Sequence, residues 1–339
     1  MDTQKLILEL CSAHGISGRE EKAADKIAEI LADIKGIYDI HKDINGNLHA
    51  CMGTNETKTI LLDAHIDQIG MVVTKIDEKG FLKVSPVGGM DMRIINDTLF
   101  TVHGKEDVKA VVCCLPPHLS DGNEDTAVSK DKVYLDTGMS CERVKELVEI
   151  GDGVTFAQQG FALCDGRIAS PALDDRCCAA VLIKCAELLS EKELDCKVHF
   201  LFSSKEEVGG IGAKTGAFSI KPDRAIAFDV SFAKQPGVAD CDSGEMSKGP
   251  MIGISPTLSR DMTNELKLIA KNNNIEYQTE IMGGTTGTNA DDISANAGGI
   301  KTALISVPLR NMHTPAEIID VNDIENSALL AAKYILQIK

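Results

Sequence analysis

Tryptophan is absent from the 339 residues, and tyrosine occurs only four times. A cleft for polysaccharides relies on aromatic platforms, so this composition counts against one. Positive charge is also scarce: 35 Lys and Arg face 51 Asp and Glu, a formal charge of −16. That balance counts against nucleic-acid binding, which uses a basic face, and against docking on an anionic membrane. No run reaches the ~18 apolar residues of a membrane span. Met1-Asp2-Thr3-Gln4-Lys5 leads into an amphipathic helix pattern and not into a secretory signal, so a cytoplasmic protein is expected. No CxxC occurs among the 11 cysteines, which excludes a zinc ribbon. Their odd number and the adjacent pairs Cys113-Cys114 and Cys177-Cys178 fit reduced thiols packed as small hydrophobes.

What is present is ordinary for a globular chain: 43% hydrophobic and 25% charged residues. At this length the chain buries most of its apolar surface without staples, and roughly two domains are expected. Residues 2–13 have helical spacing, and Ser17-Gly18-Arg19-Glu20 reads as a capping box opening a second helix to Ala32. Strand-like runs follow at Asn47–Met52 and Thr59–Ala64. Between about Gln68 and Leu163, short alternating runs broken by turn residues predict a small β-rich unit with one helix near Ser140–Glu149. From Asp174 onward, long helices alternate with apolar strands, the pattern of an α/β layered domain. The simplest organisation is an α/β domain of residues 1–67 and 165–339 with residues 68–164 inserted.

Functional groups in α/β sheets gather beyond the carboxyl ends of strands. Four strand ends carry them here: His65-Ile66-Asp67, Glu206-Glu207, Asp229, and the run leading to His313. Asp174-Asp175 opens a predicted helix, where negative charge is favoured for capping alone. Each item alone is weak: a lone His is usually structural, and an acidic pair is usually solvated. Asp229 is less bland, because a charge within an apolar run needs a partner. Together, two imidazoles and several carboxylates without a thiol make a donor set for two hard or borderline divalent ions. Such a pair needs a bridging carboxylate and clamps a hydrolytic water.

Five segments carry a resemblance. Ala64-His65-Ile66-Asp67-Gln68-Ile69-Gly70, Ala172-Leu173-Asp174-Asp175-Arg176, Glu206-Glu207-Val208-Gly209, Ala227-Phe228-Asp229-Val230 and Met312-His313-Thr314-Pro315-Ala316-Glu317 occur in that order. In sequence and spacing the chain resembles the M42 family of co-catalytic metallo-aminopeptidases, some of whose members carry cellulase M or endoglucanase labels. The resemblance implies a layered α/β/α metallopeptidase domain with an inserted β-rich dimerisation domain. It implies two divalent metals per subunit, zinc or cobalt, with manganese also admitted. Asp174 would bridge them, His65 and Asp229 would complete one site, and Glu207 and His313 the other. Glu206 would be the general base acting on the bridging water, and Asp67 would hold the second nitrogen of His65. The Asp174-Asp175 peptide would be cis. Short peptides with a free N-terminus would be the substrates, and self-association would give dimers and a dodecamer.

Two departures stand out. Gln68 replaces a frequent Glu, and Thr286 a frequent Asp in Gly283-Gly284-Thr285-Thr286-Gly287-Thr288-Asn289. His14, His41, His49, His103, His118 and His199 match no ligand position and read as structural or surface residues. Two other functions compete with an aminopeptidase. A glycoside hydrolase needs two carboxyls ~5–10 Å apart across a sugar and is disfavoured by the missing aromatics. A non-catalytic scaffold would have lost a ligand or the base, and none is lost.

Overall fold

The computed structural model describes residues 1–55, 57–114 and 129–338. The Pro116-Pro117-His118-Leu119 segment lies outside the described residues.

Helix α1 (Thr3–Ser12) buries Leu6, Ile7 and Leu10 on one face and is capped by the Asp2 carboxylate, which accepts from the Lys5 N–H. Helix α2 (Glu21–Ala32) follows. The expected Ser17–Glu20 capping box does not form, because both side chains are taken elsewhere. Ser17 donates to Asp67 at 2.6 Å, while Glu20 accepts from the backbone N–H groups of Gly18 and Lys205. A fully buried carboxylate such as Asp67 needs donors more than an exposed helix end does.

After β1 (Ile37–Lys42), β2 (Leu48–Met52) and β3 (Thr59–His65), the chain leaves the main layer. Strands β4 (Gly70–Ile76), β5 (Leu82–Val87), β6 (Leu99–His103), β7 (Asp107–Val112), β8 (Tyr134–Asp136) and β9 (Gly153–Phe156) close a six-stranded barrel, order β4-β5-β8-β7-β6-β9. Alternation drives it. Along β7, Val108, Ala110 and Val112 are buried while the residues between face water. They join Met71, Val73, Leu82, Phe100 and Val154 in a core made only of residues 69–156. Helix α3 (Cys141–Leu147) packs beside it.

Strands β10 (Phe161–Ala162) and β11 (Arg167–Ser170) return the chain to the main layer, and α4 (Leu173–Leu189) follows. Then come β12 (Lys197–Ser203), α5 (Ile211–Ile220), β13 (Arg224–Phe232), β14 (Met251–Ile254), α6 (Arg260–Asn272), β15 (Gln278–Ile281), α7 (Asn289–Ser294), β16 (Lys301–Leu309), β17 (Glu317–Asp320) and α8 (Val321–Ile335). The central sheet has the order β1-β2-β12-β3-β13-β16-β14-β15, and its middle strands β12, β3, β13 and β16 are parallel. Helices cover both faces, so these strands read as continuous apolar runs. Ile60 and Leu62 face α1, α2, α4 and α8, while Leu61 faces α5 and α7. The fold is therefore α/β/α with a β-barrel beside it. A small sheet, β10-β11-β17, pairs Ser170 with Glu317 and so brings the start of α4 against the segment after β16. No helix among the described residues is long and apolar enough to cross a membrane.

Candidate active site

The parallel strands deliver imidazoles and carboxylates to one edge of the sheet. β3 ends at His65, and the turn after it buries Asp67 completely. The Asp67 carboxylate accepts from the Ser17 hydroxyl and from the backbone N–H groups of Glu206 at 2.9 Å and Glu207 at 3.2 Å. Its carbonyl oxygen lies 3.1 Å from His65 Nδ1, and its Oδ1 3.5 Å from the same nitrogen. Burial alone would raise the Asp67 pKa, but His65 and these donors outweigh it and hold it below the usual range. Asp67 thus ties His65 to the Glu206-Glu207 backbone.

Asp174 spans the two imidazoles: Oδ1 is 3.2 Å from His65 Nε2, and Oδ2 is 3.2 Å from His313 Nε2. Glu207 Oε1 lies 3.4 Å from His313 Nε2. Donor atoms of Asp174, Glu207 and His313 fall within 4.8 Å of one another, and so do those of His65, Asp175 and Asp229. His65, Asp174, Glu206, Glu207, Asp229 and His313 line one cavity of about 590 Å³, with Asp67 beneath it. Asp174 and Asp175 have non-helical backbone angles at the start of α4, and the peptide bond between them is cis.

Two residues of this centre had no assigned role at the sequence level. Asp175, adjacent to Asp174, has both carboxylate oxygens buried without a hydrogen bond, and burial drives its pKa well up against the pull of His65. Glu317, also buried, accepts from the backbone N–H groups of Asp174 at 3.1 Å and His313 at 2.8 Å. It fixes the main chain under two of the candidate ligands. The only sequence signal for either was an acidic side chain inside a segment that also carries a candidate ligand, Asp174 beside Asp175 and His313 four residues before Glu317.

The barrel reaches this centre through the turn after β5. The Gly89 carbonyl lies 3.0 Å from His313 Nδ1, which leaves Nε2 to face Asp174 and Glu207. A Cβ on Gly89 would come within 2.8 Å of His313, and one on Gly88 within 3.2 Å of Glu207, so only glycine lets this turn approach. His313 itself has φ +61°, a left-handed conformation that the Glu317 and Gly89 bonds hold in place.

The electrostatics favour a cation. Burial would lower the pKa of His65, yet Asp174 and Asp67 raise it well above the ordinary value. His313 is likewise pushed up to about 11 against its burial by Asp174 and Glu207. Asp174 is lowered against its burial by both imidazoles. Asp229 is driven well up by burial and then by Asp175. Burial, reinforced by Glu207, Asp67 and Asp174 against His65, takes Glu206 up to about 7. Divalent ions would satisfy the orphaned Asp175 oxygens and displace the protons on both imidazoles, so this donor set fits metal. Cys177 and Cys178 also approach Asp175, but burial pushes the Cys178 thiol well up, where it stays protonated and a poor ligand. A separate cluster, His14, His103 and Asp107, lies at the seam between the α1–α2 segment and the barrel.

The family model described as M42 glutamyl aminopeptidase matches residues 46–330. The chain belongs to the M42 glutamyl aminopeptidase family. A lysyl aminopeptidase of Pyrococcus furiosus is 33% identical over 99% of this chain and 97% of its own length. The aminopeptidase of the archaeon Desulfurococcus kamchatkensis superposes with a TM-score of 0.92 at 31% identity, covering 99% of this chain and 95% of that one. The Pyrococcus horikoshii TET1 peptidase, described as assembling into a tetrahedron or a large octahedral shell, gives 0.88 at 30% identity over 99% and 100%. Membership in the M42 family supports a peptidase function and agrees with the candidate metal clusters described above.

Proposed function

We propose that this M42 peptidase is a binuclear metal-dependent aminopeptidase that removes N-terminal residues from short peptides. The observation that carries the reading is the Asp174 carboxylate, one oxygen toward His65 and the other toward His313. His65 and Asp229 would hold one ion, Glu207 and His313 the other, with Asp174 shared and Asp175 close to the first. Bound there, the ions would supply Lewis acidity and an activated water.

The chain's own residues do the rest. Glu206 lines the same cavity, and in the assignment above it is not a ligand. Its elevated pKa suits a group that takes a proton from the attacking water and returns it to the leaving amine. Because the Glu206 and Glu207 N–H groups are both tied to Asp67, base and ligand are held in fixed relation. Among the described residues a single phenylalanine, Phe232, and no tyrosine line the cavity, which favours a peptide over a sugar.

Chelation should abolish hydrolysis of aminoacyl amides, and N-acetylated versions of the same amides should resist cleavage. Equal rates on blocked and free substrates would overturn the exopeptidase assignment.

We further propose residues 68–164 as the dimerisation domain and a dodecamer as the working assembly. Support comes from the separate barrel core and from the shell-forming P. horikoshii relative. Light scattering should give a multiple of the 36.3 kDa subunit mass. A fully active monomer would overturn both.

A further inference from the structure

Glu280 lies on the edge strand β15 and lines the same cavity as the candidate metal ligands, yet nothing above uses it. Its carboxylate is built in. The Ser231 hydroxyl on β13 donates to Oε1, and the Ser306 hydroxyl on β16 donates to Oε2 at 2.7 Å. Ser306 is the residue paired with Asp229 across β13 and β16, and Ser231 lies two residues beyond Asp229. Glu280 is therefore held toward the candidate metal centre by residues of β13 and β16, although β16 and β14 lie between its own strand and β13, and it faces the cavity a bound peptide must enter.

Among the described residues, no Lys or Arg lines this cavity and no salt bridge reaches Glu280. An ionised carboxylate has about four acceptor positions. Two serine hydroxyls occupy two of them, leaving the others for a donor arriving from the cavity. Neutral hydroxyls orient the group without cancelling its charge. A carboxylate fixed and left uncompensated inside a substrate cavity rewards a cationic partner and penalises an anionic one.

We propose that Glu280 is the specificity-determining residue for a basic side chain, lysine or arginine, at the substrate's N-terminal position. The proposal rests on the aminopeptidase reading above. The substrate's ammonium or guanidinium donates to Glu280, while Ser231 and Ser306 keep the carboxylate from collapsing toward the metal centre. The pocket rejects glutamyl and aspartyl substrates by like-charge repulsion.

The test compares kcat/KM on lysyl, arginyl, norleucyl and glutamyl p-nitroanilides. Norleucine keeps the length of lysine without its charge. The wild-type enzyme should favour lysyl over norleucyl by at least about 10-fold and should cleave glutamyl least. Glu280→Gln keeps size and hydrogen bonding and should reduce the lysyl-to-norleucyl ratio by about 10–100-fold, mainly through KM. Ser306→Ala, which keeps the charge but loosens it, should reduce the same ratio less. A wild type that cleaves norleucyl as well as lysyl would overturn the proposal and leave the aminopeptidase reading standing. So would a Glu280→Gln variant that loses all four substrates equally, the signature of a structural clamp or of α-amine recognition. Failure to cleave any of the four would instead overturn the aminopeptidase reading itself.

Discussion

Two pairs of histidines at the central sheet differ in charge, one pair protonated and the other neutral. His65 and His313 meet at the carboxyl ends of the parallel strands, where Asp174 lies between them, and both are raised toward the protonated state. His49 and His199 meet within the antiparallel pair β2–β12, with His49 Nδ1 2.9 Å from His199 Nε2. Burial and the neighbouring imidazole lower His199 to about 3, and burial also lowers His49 despite Asp43. Burial acts on all four in the same direction. The difference is in the carboxylates: several converge on the first pair, while Asp43, 3.3 Å from His49 Nε2, and the more distant Asp39 act on the second. The first pair is unfinished without a cation; the second is complete as it stands.

The strongest way to break the comparison is to remove the carboxylate that joins the first pair. Asp174→Ala should lose metal, measured by elemental analysis, and with it essentially all peptidase activity, because two cations would share no bridge. Glu206→Gln should keep the metal and lose on the order of 10²–10⁴ in kcat, the usual worth of a positioned base. Near-normal kcat in Glu206→Gln at full metal content would remove Glu206 from the mechanism.

Proton release on loading sharpens the comparison. Without metal, His65 and His313 are protonated at neutral pH, and ligation requires their lone pairs. Adding zinc to metal-free protein at pH 7.5 should release at least about two protons per subunit, one from each imidazole and more from the buried Asp229 and Asp175 carboxyls, read by calorimetry in buffers of different ionisation enthalpy. Affinity should rise with pH through the neutral range, because each step upward makes the imidazole protons easier to displace. Zero release would mean that the imidazoles are not ligands. His49 and His199, already neutral, contribute nothing to this signal.

The same contrast explains what the sequence made legible. Residues at strand ends could be read because short continuous apolar runs announce a buried strand and its terminus, as at Ile60-Leu61-Leu62 before His65. All six barrel strands were legible from their alternation, and the long helices from their helical spacing. What could not be read depends on partners far away in the chain. Ser17 looked like a helix cap until Asp67 claimed it. Glu317 acts on Asp174, 143 positions away, through a backbone N–H that no side-chain pattern reveals. Glu280 acquires its place only because Ser231 and Ser306 come from two other strands. The small β10-β11-β17 sheet and the short α7 were too brief to carry a period.

The smallest effect comes from the completed pair. His199 has its folded-state pKa depressed from 6.5 to about 3, so between those values the unfolded chain binds a proton that the folded chain refuses. Stability from this pair is present above pH 6.5 and is lost as the pH falls toward 3. At pH 4 the loss should be about 2–3 kcal/mol, discounted for partial solvent access. Replacing both histidines with apolar residues, His49→Leu with His199→Phe, removes donor and acceptor together and should cost little at pH 7.5. Urea denaturation of the two proteins from pH 7.5 to 4 reads the pair together with the Asp43 carboxylate that His49 contacts. The wild type should lose more stability over this range, by that 2–3 kcal/mol. Parallel curves would mean that the buried pair takes up a proton as readily as the unfolded chain, and that the charge difference between the two histidine pairs does not exist.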